Sequence, residues 1–293
     1  MSKSSQAAPE RLARWRPDRR MNRRRHMDRL ATWMSVVAGA VLVVVLLSIL
    51  WTLLSRGLVG ISWATLTHGM GPPGSGGGLG NAILGSIIQT SVALLIAVPL
   101  GLSCGIYLAE YGRKTNYFAD VVRFVSDVLM SAPSILIGLF VYQLVVVPWG
   151  HFSGWAGSVA LAVLAVPVIV RTTEDMLRLV PTAMREAGAA LGAPRWRVIL
   201  SLCLRSARQG VLTGILLALA RVGGETAPLL FTSLGNQTWS SNLNKPMASL
   251  PIAIYQYAGA SYDDWVQLAW TGALLITFGV LLINIAVRLS ARR

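Results

Sequence analysis

Apolar and polar positions alternate along this chain in long blocks. Apolar blocks at residues 30–55, 81–109, 118–148, 155–171, 209–231 and 265–287 each approach the about 17–25 residues that a helix needs to cross a bilayer. The pattern predicts an all-α polytopic membrane protein with six transmembrane helices. The first and last blocks carry no charge, and the second holds Pro99 and Gly101, which predict a kink. The third opens on Asp120, Arg123 and Asp127, and the fifth contains Arg221 and Glu225. Residues 172–208 form a long polar connection. Within it Pro181 and Pro194 sit where helices can begin, because a proline in the first turn loses no hydrogen bond. Gly192 follows 187–191, where a left-handed terminator is wanted. The expected result is two helices, 182–191 and 195–204, joined tightly at Gly192 and Ala193. The run GPPGSGGGLG at 71–80 has no strand before it and no GK[ST] after it, so it reads as a flexible external loop and not as a phosphate cradle.

Composition agrees with a bilayer environment. The chain has 293 residues, 54% of them hydrophobic and 13% charged, with mean hydropathy +0.58; soluble domains carry about 25% charged residues. The net charge of +14 is unevenly placed. Lys3 and nine arginines between Arg11 and Arg29 make residues 1–29 a basic tail, ahead of a transmembrane domain at 30–293. Such a tail can meet nucleic acid or anionic membrane lipid. No basic surface interleaved with aromatics follows it, so it reads as a signal that orients the first span, with lipid and not nucleic acid as its partner. Of the 26 Lys and Arg, 23 fall on the side of the tail, the 172–208 loop and the C-terminus; Arg56 and Lys245 fall opposite, and Arg221 lies within a span. By the positive-inside rule both termini are cytoplasmic. Cys104 and Cys203 give no disulfide framework, and His26, His68 and His151 are scattered. No metal site, cofactor site or nucleotide-binding motif is read, so the chain is expected not to be an enzyme.

Charges inside spans carry the functional signal. A charged residue at a helix centre costs about 2.5–3.5 kcal/mol on insertion scales. On a helix, Arg221 and Glu225 would share one face and partly neutralise each other. They read either as a structural ion pair or as part of a pathway or gate, with Gly223, Gly224 and Pro228 allowing close approach and a weakened backbone. A neutral pair offers an anion no net charge, so Arg171, at the cytoplasmic end of the fourth block, or a partner subunit has to supply it. Asp127 either snorkels to the interface or serves the pathway.

The sequence Glu186-Ala187-Gly188, then Gly192, then Leu202 and Leu204 resembles the EAA loop of ABC-importer permeases. It departs from that pattern at Gly188, usually Ala, and at Arg205, usually Pro. The stretches ALARVGGETAPLLF at 218–231, RTTEDM at 171–176 and SAPSILIGLFVY at 131–142 resemble more specifically the PstA-type permeases of phosphate importers. The resemblance implies a type I ABC importer permease (MetI-like) fold with cytoplasmic coupling helices in a bacterial inner membrane. It implies an ATPase-docking loop at Glu186, Ala187, Gly188, Gly192 and Pro194. The implied partners are a PstC-like second permease, a dimeric PstB-like ATPase, a PstS-like phosphate-binding protein and inorganic phosphate. A permease for another oxyanion, sulfate or molybdate, and a channel or signalling protein without an ATPase are the competing readings.

Overall fold

The computed structural model describes residues 19–112 and 117–291, and the described residues are overwhelmingly helical. In chain order the helices are α1 (Arg19–Gly57), α2 (Trp63–Thr67), α3 (Gly80–Glu110), α4 (Tyr117–Ser131), α5 (Ser134–Trp149), α6 (Gly154–Arg178), α7 (Thr182–Ala190), α8 (Arg195–Gly223), α9 (Ala227–Thr232), α10 (Leu250–Ala258) and α11 (Asp263–Ala291). By length and apolarity α1, α3, α6, α8 and α11 can each cross a membrane, and α4 with α5 can form a sixth, broken crossing.

The chain divides into two compact units, with the boundary between Thr52 and Leu53. The first unit contributes most of α1. This helix starts at Arg19 and runs without a break past residues 29 and 30, where the tail was expected to give way to the span. Every residue from 27 to 51 is exposed, which suits a helix whose surroundings are acyl chains. Residues 1–18 of the expected tail lie outside the described residues.

In the second unit α6 is the buried centre, with 72% of its apolar window inside the structure. Ala93 and Ala97 of α3, Ile137 of α5, Leu161, Leu164, Ala165 and Ile169 of α6, and Ala218 and Val222 of α8 form one core. Small residues let α3 and α6 come close together. A Cβ on Gly101 would lie 2.7 Å from Ile169 Cβ, and one on Gly105 would lie 2.7 Å from Thr173 Cβ and 2.8 Å from the Val170 carbonyl. Contacts of this kind drive helix association where lipid removes the hydrophobic contrast.

Four expectations are corrected. The third crossing is not one helix over 118–148: α4 and α5 meet at 108°, because Pro133 caps α5 and a proline drives the residue before it out of the helical region. The fourth helix does not stop near 171: α6 continues to Arg178 and puts RTTEDM on the helix. The second loop helix is not separate. α8 begins at Arg195 and passes through a wide turn at Val198–Cys203 into the apolar stretch that ends at Gly223; Arg205, where the resemblance calls for proline, leaves that backbone ladder unbroken. The fifth block is not one helix to 231, because α8 ends at Gly223 and the chain resumes as α9 only at Ala227. The glycine-rich stretch is also tied down. Gly78, Leu79 and Gly80 donate backbone N–H bonds to the Gly69, Thr65 and His68 carbonyls, and Asn81 joins Met70 to Asn236 and Gln237.

Candidate functional site

With α6 and α8 lengthened, the expected loop of 172–208 contracts to residues 179–194 around α7. Pro181 precedes α7 and Pro194 precedes α8, each at the capping position with extended backbone. Between them Gly192 adopts φ +76° and donates to the Ala189 carbonyl, while Ala193 donates to Gly188. That left-handed geometry is the one glycine takes without steric cost. Gly188 is buried against α8, and a Cβ there would sit 2.8 Å from Leu202 Cδ1 and 3.0 Å from Val198 Cγ2. The departure from alanine at this position therefore lets α7 lie closer to α8.

Glu186 and Ala187 face outward on α7. Glu186 lines a cavity of about 580 Å³ with Glu110, Arg178, Thr182, Arg185 and Arg195. Its neighbour Arg185 turns inward: Nε and NH2 donate to Glu110 Oε1 at 3.1 and 2.8 Å, and NH2 also reaches the Leu177 carbonyl at 2.8 Å. Hydrogen bonding to the Glu110 carboxylate raises the Arg185 pKa above its ordinary value.

Within the apolar blocks the expected pathway charges fall into a pair and a separate group of three. Arg221 Nε lies 4.0 Å from Glu225 Oε1, with side chains 36% and 18% exposed. The pair does not share a helical face as expected: α8 ends between the two residues, and Glu225 occupies the unwound segment 224–226. The contact is consequently loose, and the guanidinium donors remain largely uncommitted. Arg171 of α6 meets Asp175 at 3.3 Å, one turn along, and Asp127 of α4 at 4.0 Å, all three about half-exposed. Among the described residues no ion pair joins this group to Arg221 and Glu225.

The sequence reading missed Glu174, a carboxylate only 1% exposed. It accepts from Arg123 Nε at 2.8 Å and from Arg178 at 2.5 Å. The four-residue spacing of Glu174 and Arg178 was visible in the chain, but Arg123 comes from another helix. Burial of a carboxylate requires this double pairing.

A model of the family described as binding-protein-dependent transport system inner membrane component matches residues 97–293. The chain belongs to this family. It is 52% identical over 266 residues to the phosphate transport system permease protein PstA of Yersinia pestis, covering 90% of each chain. To the protein of that name in Haemophilus influenzae it is 54% identical over 241 residues, covering 82% of this chain and 85% of the other. To PstA 1 of Mycobacterium tuberculosis it is 38% identical over 273 residues. An inward-facing MetNI methionine ABC transporter chain superposes with TM-score 0.58 at 22% identity, over 70% of this chain and 90% of that one, and so shares the MetI-like permease fold. As a member of the binding-protein-dependent permeases the chain is a multi-pass membrane component of a transport system.

Proposed function

We propose that this permease is one half of the translocation pathway of an ATP-driven importer of inorganic phosphate. The observation that carries this reading is the 52% identity to a phosphate permease across 90% of both chains. The second half is a PstC-like permease, a dimeric PstB-like ATPase hydrolyses ATP on separate subunits, and a PstS-like protein delivers phosphate. The asymmetry of Lys and Arg favours an inner-membrane orientation with both termini and α7 in the cytoplasm. Glu186, Ala187 and the turn at Gly192, led out by Pro194, form the ATPase-docking element. Closure of the ATPase moves α7, and with it the core, between inward- and outward-facing states.

Phosphate meets Arg221 by exchange of counterions. At 4.0 Å from Glu225, Arg221 can turn its planar donor fork to a phosphate oxygen, a charge-assisted bond about twice as strong as a neutral one. Glu225 lies in an unwound segment and can retreat as the anion arrives and return once it leaves. Arg171, about two turns before the end of α6 and paired with Asp127 and Asp175, is a second guanidinium that the anion can meet by the same exchange of partners. Uptake of labelled phosphate by the assembled importer tests the cargo: excess sulfate or molybdate should leave it unchanged, and competition by either at equal concentration would overturn the phosphate assignment.

The docking element makes its own prediction. Gly192→Val places a β-branched residue at φ +76°, a strain of about 1–3 kcal/mol. The ATPase-to-permease ratio in purified complexes should fall severalfold and uptake should fall with it. A normal ratio with normal uptake would remove Gly192 from the docking element.

A further inference from the structure

Three arginines from three different helices converge on the last turn of α3. This turn presents the carbonyls that an α-helix leaves unpaired at its C-terminus, together with the negative end of the helix dipole. Arg185 of α7 holds the Glu110 side chain with two N–H groups. Arg195, in the first turn of α8, donates to the Glu110 backbone carbonyl and places its guanidinium 4.3 Å over the Tyr111 ring. Arg123 of α4 donates to the Leu108 and Gly112 carbonyls at 3.2 and 2.8 Å. Both helices that flank the Gly192 turn are thus fastened to one point, and that point is the end of α3.

We infer that this arginine collar is the joint through which motion of the docking element enters the membrane, with Arg185 as its principal positioning residue and α3 as the element that is moved. The inference rests on the proposal that α7 docks an ATPase. Along α7 the two neighbouring side chains divide the work: Glu186 faces outward, while Arg185 is committed inward to α3 and to the last carbonyls of α6. Beyond the collar α3 packs against α6 through Gly101 and Gly105, where the two helices are too close to slide past an added Cβ. A displacement of α7 is therefore delivered to the buried centre as a rigid movement of α3 and α6 together. The Glu110 side chain is only 8% exposed, so its link to Arg185 is little screened by water.

The collar is tested in the complete importer with Arg185→Gln, Glu110→Gln and the double variant, and Arg185→Lys as the conservative one. ATPase co-purification should stay at the wild-type level, because Glu186 is untouched, while phosphate moved per ATP hydrolysed falls about tenfold, as expected for loss of one charged hydrogen-bonded link. The double variant should be no worse than either single one, and Arg185→Lys should recover part of the ratio. A second readout is independent of cargo: the distance between spin labels at Ala189 on α7 and Leu100 on α3, with and without ATP trapped on the ATPase. In the wild type the distance is expected to stay fixed, and in Arg185→Gln it is expected to change on trapping. An unchanged transport ratio in both single variants, or a wild-type label distance that shifts on trapping, would overturn the collar as the joint. Loss of ATPase co-purification in Arg185→Gln would make Arg185 a docking contact and overturn it equally. If the wild-type complex moved no phosphate while its label distance stayed fixed, the cargo assignment would fail and the collar would stand.

Discussion

Replacing Arg221 and Glu225 together by glutamine is expected to give a permease that assembles with its ATPase and moves almost no phosphate. A tightly buried ion pair would make removal of one partner cost about 3–5 kcal/mol. Here the charges are 4.0 Å apart, and replacing both partners together leaves neither charge unpaired. Stability should therefore change little in the double variant, and a fall in transport cannot be assigned to misfolding. Uptake per assembled complex is expected to drop by about 100-fold or more, the order seen when a preorganised charge partner is removed. ATP hydrolysis continues at a reduced, uncoupled rate. Uptake near the wild-type level would show that the two residues brace the end of α8 and do not meet the substrate.

The second large effect concerns assembly itself. Gly105→Leu should abolish most of the detergent-stable complex. The first atom of any side chain there would already press on Thr173 Cβ and the Val170 backbone, and neither can yield without moving α6. Overpacking of this kind costs about 1–3 kcal/mol or more, enough to separate the two most closely packed helices of the core. Gly105→Ala should act in the same direction more weakly. Gly279→Leu serves as the control, since a Cβ at Gly279 meets nothing within 4 Å. The measurement is complex recovered by size exclusion per unit of membrane protein. Equal recovery for Gly105→Leu and Gly279→Leu would contradict the account of the α3–α6 interface.

Local chemistry was read well from the chain, and long-range pairing was not. Gly192 stands in the left-handed conformation that its position after a helical run demanded, and the apolar blocks locate the spans. Proline shows the limit of local reading. Pro99 and Pro167 lie inside α3 and α6, whereas Pro133 ends one helix and turns the next by 108°. The residue type is the same in all three, and what differs is whether neighbouring helices hold the ladder together around it. Gly223 and Gly224 read in the sequence as small residues for packing, yet they terminate α8 and separate Arg221 from Glu225. Glu110 gives no signal alone, because its guanidinium partner Arg185 lies 75 residues away; for Glu174 the i,i+4 partner Arg178 is local, but Arg123, which completes its pairing, lies 51 residues away. Only the fold brings them together.

On the proposed function, phosphate moves uphill through this permease because an ATPase drives it through α7. The direct measurement uses sealed vesicles reconstituted with the permease, its partner permease, the ATPase and the phosphate-binding protein. It follows labelled phosphate inside the vesicles, with ATP or a non-hydrolysable analogue on the ATPase side. The account predicts accumulation above the external concentration that requires ATP hydrolysis and disappears when this chain is omitted. Phosphate that merely equilibrates, at the same rate with ATP as with the analogue, would identify a channel and contradict it.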